Sequence, residues 1–253
     1  SGLVTVAGEI STTTLDIGGT NITSTAAELN IMDGVTATAT ELNLLDGVTA
    51  LATSVTGLSD ALIEDNSIYI GQDPSSTTNT AQYNFSMGTT ALDAITTGDQ
   101  NVAIGKDALT ANTTGASNVA IGYEAMRDNV SDQGNVAIGM SALQESNGGE
   151  YNTAIGNNAL RGTSNTNITG DGNVAIGAGT MKFNIGGAQN SAVGRSSLYT
   201  NTSGSNNTAL GYLALYDNTT ATYNTAVGSN SLENTTTAGF NTAIGANSLL
   251  TNT

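Results

Sequence analysis

The side chains that carry out most enzyme chemistry are scarce in this chain. It has no His and no Cys, which removes the usual general bases and the nucleophile–base pairs of covalent catalysis. A carboxylate pair of the kind found in glycoside hydrolases is the remaining catalytic candidate. The acidic residues of the central part occupy variable positions, which favours a solvated acidic surface: Asp99, Asp107, Glu124, Asp128, Asp132, Glu145, Glu150 and Asp171. We therefore assign no catalytic residue and no cofactor, and we predict a non-enzymatic protein.

Calcium is the next chemistry to consider, because Asp and Asn oxygens are ligands that Ca²⁺ prefers. The best local cluster is Gly170-Asp171-Gly172-Asn173, at the end of the 161–172 loop. This cluster lacks the regular Asp spacing of the calcium-binding nonapeptide solenoids. No metal site is assigned, and calcium binding by the 161–172 loop stays open as an alternative.

Exposed tyrosines beside Asn and Ser are typical of glycan-binding surfaces. Tyr123, Tyr212 and Tyr223 are the candidate glycan contacts, with solvent-edge packing as the competing interpretation. Tyr151, Tyr199 and Tyr216 lie in similar surroundings. Asn-x-Thr/Ser sequons are expected by chance in a chain this rich in Asn and Thr; they begin at Asn21, Asn112, Asn129, Asn167, Asn201, Asn218 and Asn234.

Charge and hydropathy exclude two classes of partner. The formal net charge is −16, with 21 acidic and 5 basic residues, so the surface repels nucleic acid and anionic membranes. No run of apolar residues approaches the length of a membrane-spanning segment. We predict no nucleic-acid partner and no membrane insertion.

The elements that must position these side chains are internal repeats. The unit is Asn-x-Ala-Ile-Gly, followed by a Leu or Met four residues after the Gly. The repeat Gly residues lie 17 residues apart from Gly71 to Gly156 and from Gly177 to Gly245, with a single step of 21 between. Such strict self-similarity predicts a solenoid. The best-defined repeat residues are Asn101, Ala103, Ile104, Gly105, Leu109, Asn118, Ile121, Gly122, Asn135, Ile138, Gly139, Asn152, Ile155 and Gly156.

The period predicts an all-β fold, a parallel β-roll or β-solenoid of about eleven turns over residues 66–253. In each turn we expect the Ile and the residue two before it to face one side of a strand, and Asn, Ala and Gly to face the other. The Leu is expected to begin a second strand and to share the interior with the Ile. Stacked Asn amides are expected to bond along the rod. Because one turn buries little apolar surface, we predict a homotrimer packed through the flat Ala and Gly face, with a self-sufficient single-chain β-helix as the alternative.

Residues 1–65 are predicted to form a small mixed region of short strands and short helices that trimerises or attaches the chain. Two strands, at Leu3–Val6 and Thr14–Ile17, are each followed by a Gly turn. Two repeats with a period of 13 residues, at 25–36 and 38–49, have the capping-box pattern of short helices. Such helices need a partner surface.

The Asn-x-Ala-Ile-Gly turns resemble the head repeats of trimeric autotransporter adhesins of the YadA type. The longer form Asn-Thr-Ala-Ile-Gly-Asn-Asn-Ala-Leu, at Asn152–Leu160, and the unit at 25–36 are similar to repeats of bacteriophage tail-fibre and virion proteins. The adhesin period is usually nearer 14, which is one departure from the family pattern. The first resemblance implies a left-handed parallel β-roll trimer.

The second resemblance implies a structural fibre protein of a virion, extracellular and contributing to host-cell attachment. Its partners would be itself, other virion or fibre proteins at the termini, and a glycan or protein receptor on the host surface. A bacterial surface adhesin is the alternative in function and in location. A fibre-borne polysaccharide depolymerase is the third.

Overall fold

The computed structural model describes residues 15–17, 20–22, 61–64, 66–71, 74, 78–163 and 167–251. The chain divides into two compact units, Ser1–Leu51 and Ala52–Thr253. In the first unit, β1 (Leu15–Ile17) pairs antiparallel with β2 (Thr20–Ile22), which confirms a strand at 15–17; the predicted Gly turn lies outside the described residues. The predicted strand at 3–6 and the two predicted helices lie outside the described residues.

The second unit is a β-solenoid built on one sheet of twelve strands. Its first strand, β3 (Ala61–Glu64), pairs antiparallel with β4 (Ser67–Ile70). From β4 onward each strand pairs in parallel with the next strand of the chain. The later strands are β5 (Phe85–Met87), β6 (Val102–Ile104), β7 (Val119–Ile121), β8 (Val136–Ile138), β9 (Thr153–Ile155), β10 (Val174–Ile176), β11 (Ser191–Val193), β12 (Thr208–Leu210), β13 (Thr225–Val227) and β14 (Thr242–Ile244).

The register confirms that one repeat makes one turn. Ile104 pairs with Ile121, and Ile121 pairs with Ile138. The four extra residues between Leu160 and Asn173 leave the sheet undisturbed, because Ala154 still pairs with Ala175. Eleven parallel strands, stacked about 4.8 Å apart, extend on the order of 50 Å.

The two faces of the strands are assigned differently from the prediction. Ala103 and Leu109 are completely buried, and so is Asn101, whereas Ile104 is only half-buried. The prediction that Ile shares the interior with Leu is therefore wrong; Ala and Leu share it. The physical reason is that the Asn amide bonds to backbone carbonyls inside the turn, and Asn and Ala, two residues apart, point to the same side of a strand.

The trimer surface predicted from the sequence is wrong for the same reason. The Ala residues that were expected to pack against another chain form the interior of each turn: Ala103, Ala120, Ala137, Ala154, Ala175, Ala192, Ala209, Ala226 and Ala243. The outward face of the sheet instead carries the Val, Thr and Ile side chains.

The Leu or Met of each turn lies in a corner rather than in a second strand, which corrects the second strand prediction. Leu109 has a φ of 51° and Asp107, two residues earlier, a φ of 60°. Two left-handed residues so close together bend the chain sharply, and the left-handed conformation is costly for a residue as bulky as Leu. Complete burial of the side chain offsets that cost.

Candidate functional site

The repeat Asn residues form a continuous hydrogen-bonded ladder inside the solenoid, as predicted. The backbone N–H of Asn118 donates to Oδ1 of Asn101 over 3.0 Å. The Asn118 Nδ2 donates to the carbonyl of Asp132, 14 residues later in the same turn, over 2.7 Å. Each amide thus joins two successive turns and also closes its own turn. Because these groups are fully buried, the ladder is structural and offers no ligand site.

A second Asn ladder, which the sequence interpretation missed, runs beside the first. Asn201 Nδ2 donates to Oδ1 of Asn184 over 2.6 Å and to the Gly204 carbonyl over 2.9 Å, and Asn218 repeats the pattern on Asn201. The same 17-residue subtraction that revealed the first ladder would have revealed this one. Four of the sequon asparagines occupy this position in their turns and are fully buried, so they are inaccessible to glycosylation: Asn112, Asn129, Asn201 and Asn218.

One carboxylate lies inside this polar interior, and the predicted solvated acidic surface is wrong for it. Asp132 is 3% exposed and stands where neighbouring turns have Gly, while Ser146 replaces an Asn of the second ladder. The shorter Ser side chain leaves room for the carboxylate, which accepts bonds from Ser146 Oγ (2.7 Å) and the Gly148 N–H (2.6 Å). Burial raises the pKa of Asp132 above its ordinary value, although these two donors oppose the shift.

We expect Asp132→Asn to raise the thermal midpoint by a few degrees at pH 7. Burial penalises the charged form of the carboxylate, and neither a protonated Asp132 nor an Asn at this position carries that cost. Because the pKa of Asp132 is raised in the folded protein, protonation of this carboxyl stabilises the wild type at low pH. That stabilisation is lost as the pH rises through the pKa of the folded state. The gain from the substitution should therefore disappear near pH 4, about the unfolded pKa of Asp. Thermal melts of both proteins between pH 4 and pH 7 measure it; a variant less stable at pH 7 would contradict the assignment.

The remaining acidic residues named from the sequence are mostly at the surface. Glu145 is the exception, being 7% exposed; its backbone lies beneath the extra residues after Leu160, where Ile168 donates to its carbonyl over 3.0 Å. Asp107 pairs with Lys106, and Asp128 with Arg127. The Lys106 ammonium, as a hydrogen-bond donor, lowers the pKa of Asp107. Within the described ranges these carboxylates serve as structural acceptors or ion-pair partners.

The calcium candidate is not brought together as a ligand set. Asn173 is buried in the first ladder, whereas Asp171 is exposed and accepts a bond from the Glu150 N–H over 2.8 Å. Among the residues that the structure describes, no three acidic side chains are grouped closely enough to hold a metal.

The three candidate glycan-binding tyrosines are exposed but lie apart. Tyr123 and Tyr212 both follow the repeat Gly, yet five turns separate them. Tyr223 precedes a repeat Asn and stacks on Phe240, with ring centroids 5.0 Å apart. The Glu124 carboxylate raises the pKa of Tyr123 as a hydrogen-bond acceptor. Tyr199 and Tyr216 stack face to face at 5.1 Å and are half-buried. These rings therefore form no single site.

The outer face of the sheet is a continuous apolar stripe along the solenoid. Exposure reaches 36% at Ile138, 37% at Val193 and 47% at Leu210. The stripe consists of the last residue of each parallel strand: Ile70, Met87, Ile104, Ile121, Ile138, Ile155, Ile176, Val193, Leu210, Val227 and Ile244. No charged side chain interrupts these strand ends. An apolar surface of this length is typical of a protein–protein interface.

Nowhere in the described ranges is there a helix with the length and hydrophobicity that crossing a bilayer requires. Comparison with protein-family models, with curated proteins and with solved structures found no match.

Proposed function

We propose that this chain is the shaft or head of an extracellular fibre, a virion tail fibre or appendage that contributes to host-cell attachment. The observation that carries the proposal is the closed interior. The first Asn ladder and a stack of Leu and Met side chains bind successive turns to each other, and the second ladder adds bonds at Asn184, Asn201 and Asn218. A rod of this kind is suited to reach and contact rather than to turnover.

Self-association follows from the apolar stripe. The stripe runs along the whole stack of parallel strands and has no charged residue, whereas the rest of the chain carries the net charge of −16. A second and third copy of the same chain present stripes of equal length and spacing, so three stripes around a common axis bury one another without opposing the acidic surfaces. We propose the homotrimer on this face.

We expect a trimer mass in solution, and a monomer when Ile138 and Ile176 are both replaced by Lys. Both side chains lie at the centre of the stripe, and two lysines per chain placed at a closed apolar interface leave buried like charges. Multi-angle light scattering measures the mass. The control is Asn157→Lys, which adds a charge at an exposed position outside the strands and should leave the trimer intact. A monomeric wild-type protein would contradict the stripe as an interface.

Immunogold electron microscopy tests whether the protein is located on virion tails or appendages. Antibody raised against the described array should decorate tails or appendages of virions from the source material. Gold confined to the outer surface of bacterial cells would replace the proposal by the surface adhesin. Labelling of neither would overturn both.

A further inference from the structure

An outer corner of the solenoid carries one residue per turn, immediately before each repeat Asn. The backbone of this row is regular, since Tyr151 N–H donates to the Gln133 carbonyl over 3.2 Å and Gly172 N–H to the Glu150 carbonyl over 3.0 Å. Successive members therefore lie one strand spacing apart, about 4.8 Å. The row, called here the corner row, comprises Tyr83, Gln100, Ser117, Gly134, Tyr151, Gly172, Gln189, Asn206, Tyr223 and Phe240.

Tyr151 is the one aromatic residue of this row with a glycine on each side. Its side chain is 61% exposed. The ring leans over Gly134, because a Cβ atom built there would lie 2.6 Å from the ring Cδ1. The space above Gly134 is thus already filled by Tyr151 itself.

The opposite side of the ring is open. A Cβ atom built at Gly172 would meet only the Cγ atom of Gln189, at 3.9 Å. Gly172 has a φ of 66°, close to the 60° of Gln100 and the 59° of Asn206 in the same row. The backbone therefore accepts a side chain at this position. Its absence leaves a slot between Tyr151 and Gln189, which lie about 10 Å apart as residues two strand spacings from each other.

Hydrogen-bonding groups directly precede the corner row on both sides of Tyr151. Gln133, Glu150 and Asp171 occupy the position just before the corner row in three successive turns. Gln133 Nε2 donates to Oε2 of Glu150 over 3.3 Å, and the Glu150 N–H donates to Oδ1 of Asp171 over 2.8 Å. In the part of the chain that the structure describes, the second oxygen of each carboxylate has no protein donor and is available as an acceptor.

We propose that this slot binds a neutral pyranose ring of a surface glycan. The apolar C–H face of a sugar fits the flat aromatic surface of Tyr151, and its hydroxyl groups can donate to Glu150 and Asp171. Acidic sugars are disfavoured because those carboxylates repel a third negative charge. The inference rests on the proposed attachment function and names the receptor class and the contact residues for it.

Saturation-transfer NMR with the methyl glycosides of glucose, galactose and mannose tests the slot, with sodium glucuronate as the acidic comparison. We expect transfer to at least one neutral glycoside and little to glucuronate. Tyr151→Ala should weaken binding about tenfold or more, the effect of losing one aromatic contact of this size. Gly172→Gln should have a similar effect by filling the slot. Its left-handed backbone strains the new side chain, but the melting temperature should fall only slightly because Gln100 and Gln189 occupy the same row with similar backbone. Tyr223→Ala is the matched control, since that ring stacks on Phe240, and it should bind as the wild type does.

Absence of transfer from all three neutral glycosides to the wild-type protein overturns the proposal, and so does unchanged binding in both Tyr151→Ala and Gly172→Gln. Adhesion of the purified protein to host cells, measured in parallel, tests the attachment function separately from the glycan-binding slot. Cell adhesion without glycoside binding removes the slot and leaves the attachment function. Loss of both removes the attachment function as well.

Discussion

Replacing Gly122 with Ala is expected to destabilise the middle of the solenoid by about 3 kcal/mol or more. Gly122 has a φ of 140°, a conformation that residues with a side chain rarely adopt. A Cβ atom there would lie 2.5 Å from the carbonyl oxygen of Gly139 in the next turn. The obstacle is backbone, which cannot rotate away, so adjacent turns must separate. The repeat Gly is thus required both by its own conformation and by the close approach of the next turn.

Urea denaturation followed by circular dichroism measures the effect. The matched control is Gly186→Ala, because Gly186 is exposed and a Cβ atom there would meet only the Thr169 hydroxyl oxygen, at 3.9 Å. That substitution should change the free energy of unfolding by no more than about 0.5 kcal/mol. Solenoid stability is roughly a sum of nearest-neighbour terms, so Gly122→Ala is also expected to broaden the transition. Equal midpoints for the two variants would contradict the close packing of the Gly residues.

Replacing Asn190 with Leu is expected to cost about 1–3 kcal/mol, since a buried polar group left without a partner costs about that much. Asn190 accepts from the Asn207 N–H over 2.9 Å and donates to the Gly204 carbonyl over 2.8 Å. Leu has as many side-chain heavy atoms as Asn, but it can neither accept nor donate a hydrogen bond. The substitution therefore leaves the buried Asn207 N–H without its acceptor, whereas the Gly204 carbonyl keeps the bond from Asn201 Nδ2.

Thermal unfolding measures the overall loss, and amide hydrogen exchange locates it. The Asn207 N–H should exchange much faster in the variant, while amides several turns away stay protected. Asn157→Leu provides the comparison, because Asn157 is exposed and its replacement removes no interior bond. Unchanged protection at Asn207 would show that the ladder contributes little to stability.

The sequence located the residues of the proposed glycan slot but did not show which side of each strand faces the solvent. The period located Tyr151, Glu150 and Asp171 in the sequence, but not the open space at Gly172 between neighbouring turns. That space exists because two glycines flank Tyr151 at separations of 17 and 21 residues. The second Asn ladder was readable from the same spacing, since Asn184, Asn201 and Asn218 follow it. The burial of Asp132 could not be predicted from the spacing, because it depends on the short Ser146 side chain in the next turn.

The sequence by itself determined that this is an all-β solenoid, that each 17-residue unit is one turn, and that the extra four residues are absorbed outside the sheet. Periodicity suffices for this, because a parallel stack needs equivalent residues to recur at a constant interval. Only the tertiary structure decided that Asn101 and Ala103 face inward while Ile104 faces outward. A three-residue strand offers both faces equally, and the choice is made by the buried carbonyls that the Asn amide must satisfy.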